Sequence, residues 1–146
     1  MDTRRGSGTR NLTHMRRVLI VDDNHDSAEL LSLVLCREGH EARVAHDPRE
    51  AIPLATAFRP NVAFLDIGLP GMDGFELLAV LRADPELAGC KFVAVTGYEQ
   101  LREQPGSGGF DGHLLKPVDL AAVAKLVLEI APSDLEQLGS VKPASA

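Results

Sequence analysis

Three carboxylates, a hydroxyl and an ammonium stand where a chain of alternating strands and helices would place its chemistry. The stretch Val62-Ala63-Phe64-Leu65-Asp66-Ile67-Gly68-Leu69-Pro70-Gly71-Met72-Asp73-Gly74 holds the first of them. Four consecutive apolar residues make a short strand of the kind buried on both faces, and Asp66 falls at its C-terminal end. The Gly, Pro and Asp run behind it must turn the chain before a helix begins near Phe75. Asp22 and Asp23 follow a second apolar run, Val18-Leu19-Ile20-Val21. Adjacent acids at a strand end repel each other and must be solvated or share a cation. Thr96 ends the run Lys91-Phe92-Val93-Ala94-Val95, and Lys116 ends Gly112-His113-Leu114-Leu115.

In open α/β sheets, ligands and chemistry gather at the carboxyl ends of the strands. Brought to one edge, these five side chains suit phosphoryl transfer. A hard cation such as Mg2+ takes one or two carboxylates together with waters and substrate oxygens, and Asp22 and Asp23 offer that share. Asp66 is then free to attack phosphorus through a carboxylate oxygen. Thr96 can hydrogen-bond a phosphoryl oxygen while Lys116 neutralises developing charge. Each residue alone also reads as something plainer: an Asp opening a turn, a solvated Asp-Asp helix start, a Thr of ordinary β-propensity, a Lys-Pro turn. Their joint placement at the ends of four different strands favours the chemistry.

The elements that would position them follow from pattern and punctuation. Asn24 or a neighbour can cap a helix whose Ala28, Leu31, Val34 and Leu35 recur at helical spacing, with Gly39 as the stop. Glu41–Ala45 is a weaker second strand. Asp47-Pro48 reads as N-cap followed by N1 proline, opening a helix with Ala51, Leu54, Ala55 and Phe58 on one face. Pro53 inside it predicts a shortened or bent helix. A third helix spans Phe75–Ala83 through Leu77, Leu78 and Leu81 and halts near Asp84-Pro85. Asp119 caps a last helix carrying Leu120, Val123, Ala124, Val127 and Leu128. Strands and helices alternate five times, which calls for a parallel sheet between helices with right-handed crossovers.

Composition narrows the class. The chain has 146 residues, 45% apolar and 25% charged, as expected of one soluble domain. No apolar run approaches the roughly 20 residues that span a bilayer, so neither membrane insertion nor export is expected and the expected compartment is the cytoplasm. Cys36 and Cys90 lack metal-ligand spacing and read as small core hydrophobes in a reducing compartment. The net charge is −6, yet the first 17 residues carry five Arg against one Asp. The remainder is therefore strongly acidic, which argues against nucleic-acid binding by the domain. Residues 1–15 read as a disordered basic segment, 16–131 as the domain, and 132–146 as a polar tail.

The motifs Val-Leu-Ile-Val-Asp-Asp-Asn, Leu-Asp-Ile-Gly-Leu-Pro-Gly-Met-Asp-Gly, Val-Thr-Gly-Tyr and Leu-Leu-Lys-Pro resemble those of the receiver domain of two-component response regulators, over about Arg16 to Ala131. The resemblance implies a flavodoxin-like, doubly wound α/β fold with five parallel strands in the order 2-1-3-4-5. It implies Asp66 as phosphoacceptor and a Mg2+ site built by Asp22, Asp23, Asp66 and the backbone carbonyl of Gly68. It also implies Thr96 and Lys116 on the phosphoryl group, a cis Lys116-Pro117 peptide, and Gly68 and Tyr98 beside the path of attacking water. The expected phosphodonor is a histidine kinase or a histidine phosphotransfer protein, and the expected state is a monomer or weak dimer. The wording of Thr-Gly-Tyr and Lys-Pro-Val-Asp is most similar to receivers attached to hybrid histidine kinases. About fifteen residues after Ala131 are too few for an output domain, so signalling by protein contact is expected.

Two departures from the family pattern stand out. The Tyr or Phe expected three residues before the lysine, as a switch linked to Thr96, is His113 here. Gln104-Pro105-Gly106-Ser107-Gly108-Gly109 contains a breaker and three glycines, so the fourth helix is expected to be shortened or disordered, with Phe110 anchoring the chain to the core. Two other readings stand beside the receiver. A Mg2+-dependent phosphatase of the haloacid-dehalogenase type would want a second Asp where Gly68 stands. A receiver fold kept only as a binding module would not need Asp66, Thr96 and Lys116 together.

Overall fold

The computed structural model describes residues 15–67, 74–97 and 109–129. Five short strands, β1 (Arg17–Val21), β2 (Glu41–Ala45), β3 (Val62–Asp66), β4 (Lys91–Thr96) and β5 (Gly112–Leu115), form one parallel sheet in the order β2-β1-β3-β4-β5. Between them run α1 (His25–Arg37), α2 (Pro48–Phe58) and α3 (Gly74–Arg82), and a last helix covers 120–129. This is the doubly wound architecture and strand order expected from the motifs.

The apolar runs are continuous because the central strands are covered on both faces. Val18, Ile20, Val62, Phe64, Val93 and Val95 point to one side, where Ala28, Leu31 and Leu35 of α1 meet Val123 and Val127 of the last helix. Leu19, Val21, Ala63, Leu65, Phe92 and Ala94 point to the other, against Ala51, Ala55, Leu77, Leu78 and Leu81 of α2 and α3. Successive side chains of a strand face opposite ways, so one five-residue strand feeds both cores. β3 lies in the middle and is buried at all five positions.

Helix starts follow the cap residues. The Asn24 side chain accepts from the Ser27 N–H at 3.0 Å and Asp47 from the Glu50 N–H at 2.9 Å, each satisfying an amide that the helix cannot. Asp119 accepts from the Ala121 N–H at 3.0 Å at the head of the last helix. Asp84-Pro85 ends α3 as expected and opens a single 3-10 turn, Pro85–Leu87. Two expectations are corrected. Pro53 does not shorten α2, which continues to Phe58. Cys36 is exposed on α1, whereas Cys90 is buried as expected; both are free thiols.

The entry to β5 is held by a small knot of contacts. Arg82 Nη2 donates to the Gly109 carbonyl at 2.8 Å and to Asp111 Oδ2 at 3.1 Å, while its guanidinium lies 4.9 Å above the Phe92 ring. Asp111 Oδ2 also accepts from the Phe92 N–H at 2.9 Å. Gly109 has φ +92°, a conformation that side chains disfavour, and a Cβ there would come within 3.3 Å of Leu78 Cδ2. Phe110 is buried, edge-on to Phe75 with ring centroids 5.6 Å apart. The anchoring expected of Phe110 is thus present. The expected change to a fourth helix concerns 98–108, which lie outside the described residues, as do Gly68 and Tyr98.

Candidate functional site

β1 and β3 are neighbours in register, Val21 opposite Leu65, so the residues that follow them emerge side by side. Asp22, Asp23 and Asp66 each present a carboxylate oxygen, and these oxygens lie within 4.8 Å of one another. Lys116 arrives from β5 across β4: its N–H donates to the Thr96 carbonyl at 2.8 Å, and its Nζ reaches Asp66 Oδ2 at 3.0 Å. Asp66 is the single buried carboxylate among the described residues, with a side chain 5% exposed, while that of Lys116 is 39% exposed. The Lys116-Pro117 peptide is cis.

Thr96 is fully buried at the end of β4, and its hydroxyl donates to the Gly97 carbonyl at 2.8 Å. His113, paired in register with Ala94, is half-buried, with its ring centroid 6.1 Å from that of Phe110. The direct cluster therefore comprises Asp22, Asp23, Asp66 and Lys116. Thr96 lies on the strand between Asp66 and Lys116, and His113 lies nearer the Phe110 anchor.

Electrostatics follow the crowding. Burial pushes the Asp22 carboxyl above its ordinary value. A hydrogen bond from the Asn24 N–H and the Lys116 charge pull it down, and the neighbouring Asp66 raises it again. For Lys116, partial burial opposes the charge, but the bond to Asp66 and the charges of Asp66, Asp22 and Asp23 outweigh it and raise the pKa. Lys116 is therefore an ammonium at neutral pH. Three converging carboxylates against one ammonium leave an excess of negative charge. Their hard oxygen donors fit a small divalent cation such as Mg2+.

Two contacts were not foreseen in the sequence pattern. Gly74 opens α3 hard against the end of β3. A Cβ there would lie 2.7 Å from Ile67 Cα and 3.0 Å from the Asp66 carbonyl oxygen, and its N–H donates to the Ile67 carbonyl at 2.8 Å. His46, just after β2, places Nδ1 3.0 Å from the Asp22 carbonyl oxygen and stacks on His25 with ring centroids 3.6 Å apart.

Comparison with known proteins agrees with this geometry. The family model described as the response regulator receiver domain matches residues 18–128. A 14.6 kDa uncharacterized protein in the sodA1 3′ region of Leptolyngbya boryana is 36% identical over 112 residues, covering 75% of this chain and 86% of that protein. The DNA-binding response regulator MtrA of Mycolicibacterium smegmatis is 32% identical and covers 89% of this chain, but the matched part spans only 59% of MtrA. Among solved structures, a CheY-like receiver domain protein of Methanospirillum hungatei superimposes with a TM-score of 0.73 at 30% identity, covering 84% of this chain and 98% of that one. With its sheet order and its family match in agreement, the chain belongs to the response regulator receiver domains of two-component signalling.

Proposed function

We propose that this chain is a phosphoacceptor: it takes a phosphoryl group from a histidine kinase or histidine phosphotransfer protein onto Asp66 and passes the signal on by protein contact. The observation that carries this reading is the buried Asp66 carboxylate, held at 3.0 Å by Lys116 and flanked by two further acids. An Asp66 oxygen attacks phosphorus, the bond from phosphorus to the donor's imidazole nitrogen breaks with its electron pair going to that nitrogen, and the imidazole leaves neutral because its other ring nitrogen carries a proton. Lys116 stays charged throughout and meets the negative charge that the phosphoryl oxygens bring. Thr96 supplies a hydroxyl beside them, and His113 stands at the switch position. Receiver domains bind Mg2+ in an acidic site, and Asp22, Asp23 and Asp66, with the Gly68 carbonyl, would hold it in this chain. When bound, it neutralises the carboxylates and the phosphoryl oxygens. Incubation with Mg2+ and acetyl phosphate, read by intact mass, tests the reading: one phosphoryl group should be added, and none without Mg2+.

The metal assignment has its own test. Asp23→Asn should weaken Mg2+ binding by roughly 10-fold, corresponding to about 1.4 kcal/mol, and slow phosphorylation with it. Because burial raises the Asp22 pKa from its ordinary value, protons should compete with Mg2+ at a higher pH than at an unperturbed Asp. Affinity measured by calorimetry should fall as pH is lowered, by up to about tenfold per pH unit once Asp22 protonates. Equal affinity in wild type and mutant would remove Asp23 from the site.

The surface beside the acids supports delivery by a protein. A cavity of about 470 Å³ opens next to Asp22 and Lys116, walled by Ser27, Leu30 and Leu31 of α1 on one side and Pro117, Val118 and Leu120 on the other. Leu30 and Leu33 are 51% and 53% exposed, an apolar edge that water does not favour. Leu30→Glu should slow phosphotransfer from a partner protein by about tenfold or more and leave uptake from acetyl phosphate unchanged. Equal slowing with both donors would place Leu30 in the chemistry instead of the docking.

A further inference from the structure

The loop that carries Asp22 and Asp23 must hold two carboxylates beside a third against mutual repulsion. Its own turn does part of this: Asp22 Oδ1 accepts from the Asn24 N–H at 3.0 Å, and the Asn24 carbonyl accepts from the Ala28 N–H at 3.1 Å. These bonds fix the loop to α1 and leave open what fixes it to the sheet. Both backbone groups of Asp22 answer that question from the end of β2. Its N–H donates to the Ala45 carbonyl at 3.0 Å, and its carbonyl faces His46 Nδ1 at 3.0 Å. A carbonyl can only accept, so Nδ1 carries the proton in this contact.

His46 is itself held. Its backbone N–H donates to Glu50 Oε1 at 2.8 Å, and Glu50 belongs to the first turn of α2, where its own N–H is capped by Asp47. The other side of the ring lies flat on His25, the first residue of α1, with an interplanar angle of 5°. Ring and backbone of one residue thus tie the acid loop, α1 and α2 together.

We infer that His46, with His25 stacked on it, is a positioning residue that braces the Asp22–Asp23 loop in the geometry that receives the divalent cation. This rests on the metal reading given above. The brace acts through the Asp22 carbonyl and touches neither phosphoryl group nor cation. A typical intramolecular hydrogen bond is worth about fivefold in an equilibrium. His46→Ala should therefore weaken Mg2+ binding about fivefold by calorimetry.

Substitutions separate the two contacts. His46→Phe keeps a ring for His25 and lacks the donor; it should behave like His46→Ala. His46→Asn places an amide N–H where Nδ1 stands and should recover most of the loss. In the metal-free protein, hydrogen exchange at the Asp22 and Asn24 amides should quicken in His46→Ala and His46→Phe, while Val93 and Val95 in β4 stay as in wild type. His25→Ala should quicken exchange at Asn24 by about twofold or more, and unchanged exchange there removes His25 from the brace. If His46→Asn is no better than His46→Ala, or if β4 exchanges faster in step with the loop, the brace is overturned in favour of a general packing role. A wild-type chain that bound no Mg2+ would sink the metal reading, while the metal-free exchange would still decide whether His46 holds the loop.

Discussion

Asp66→Asn is expected to take up no phosphoryl group from acetyl phosphate in Mg2+, under conditions where the wild type should gain one by intact mass. The amide oxygen of Asn is a poor nucleophile and bears no charge, so the bond to phosphorus does not form. Folding should survive the change. The amide oxygen can still accept from Lys116 Nζ, which now lies 3.0 Å from Asp66 Oδ2. One of three converging negative charges is also removed, which relieves repulsion at the strand ends. Circular dichroism and thermal unfolding should therefore stay close to wild type, so that loss of labelling reports on chemistry alone. Labelling that persists unchanged in Asp66→Asn would sink the assignment of Asp66 as acceptor.

Gly74→Ala is expected to cost roughly 1–3 kcal/mol of stability, the usual range for forcing extra volume into a packed site. An Ala at a helical position ordinarily gains up to about 1 kcal/mol over Gly. Here that gain is outweighed, because the new methyl would stand 2.7 Å from Ile67 Cα and 3.0 Å from the Asp66 carbonyl oxygen. Both are backbone atoms and cannot rotate away. Either α3 backs off from β3, losing the Gly74 N–H bond to the Ile67 carbonyl, or the end of β3 moves and carries Asp66 with it. Denaturant unfolding measures the first effect, and the rate of phosphoryl uptake registers the second. A variant as stable and as quickly phosphorylated as wild type would show that the contact relaxes freely.

Much of this architecture was legible before any coordinates. A parallel strand covered on both faces leaves an unbroken apolar run, so β1, β3 and β4 were bounded nearly to the residue. The caps Asn24, Asp47 and Asp119 were legible because their side chains act on amides two or three positions away. The acid cluster was legible by a rule about strand ends, which needs only the order of the elements.

What pattern could not supply were contacts made across the sheet or between loops. Gly74 opposes Ile67 through space, and His46 reaches Asp22 across 24 positions. A lone histidine after a weak strand announces nothing of that kind. Pro53 does not end the helix it stands in. Around it, the Asp47 cap and the buried Ala51 and Ala55 hold α2 together. Cys36 misled for want of phase: Ala28, Leu31 and Leu35 form the buried stripe of α1, and Cys36 lies one step off it.

Arg82 grips the Gly109 carbonyl and the Asp111 carboxylate, so β5 is moored at its entry by α3. β4 is moored equally well at its exit by its pairing with both neighbours. Any segment spliced between these two moorings closes a loop whose ends do not depend on it. Closure entropy rises slowly, by about 0.6 kcal/mol for each doubling of length. A change in the length of that join is therefore cheap in closure entropy, while Arg82 keeps the entry of the strand that carries Lys116 in place.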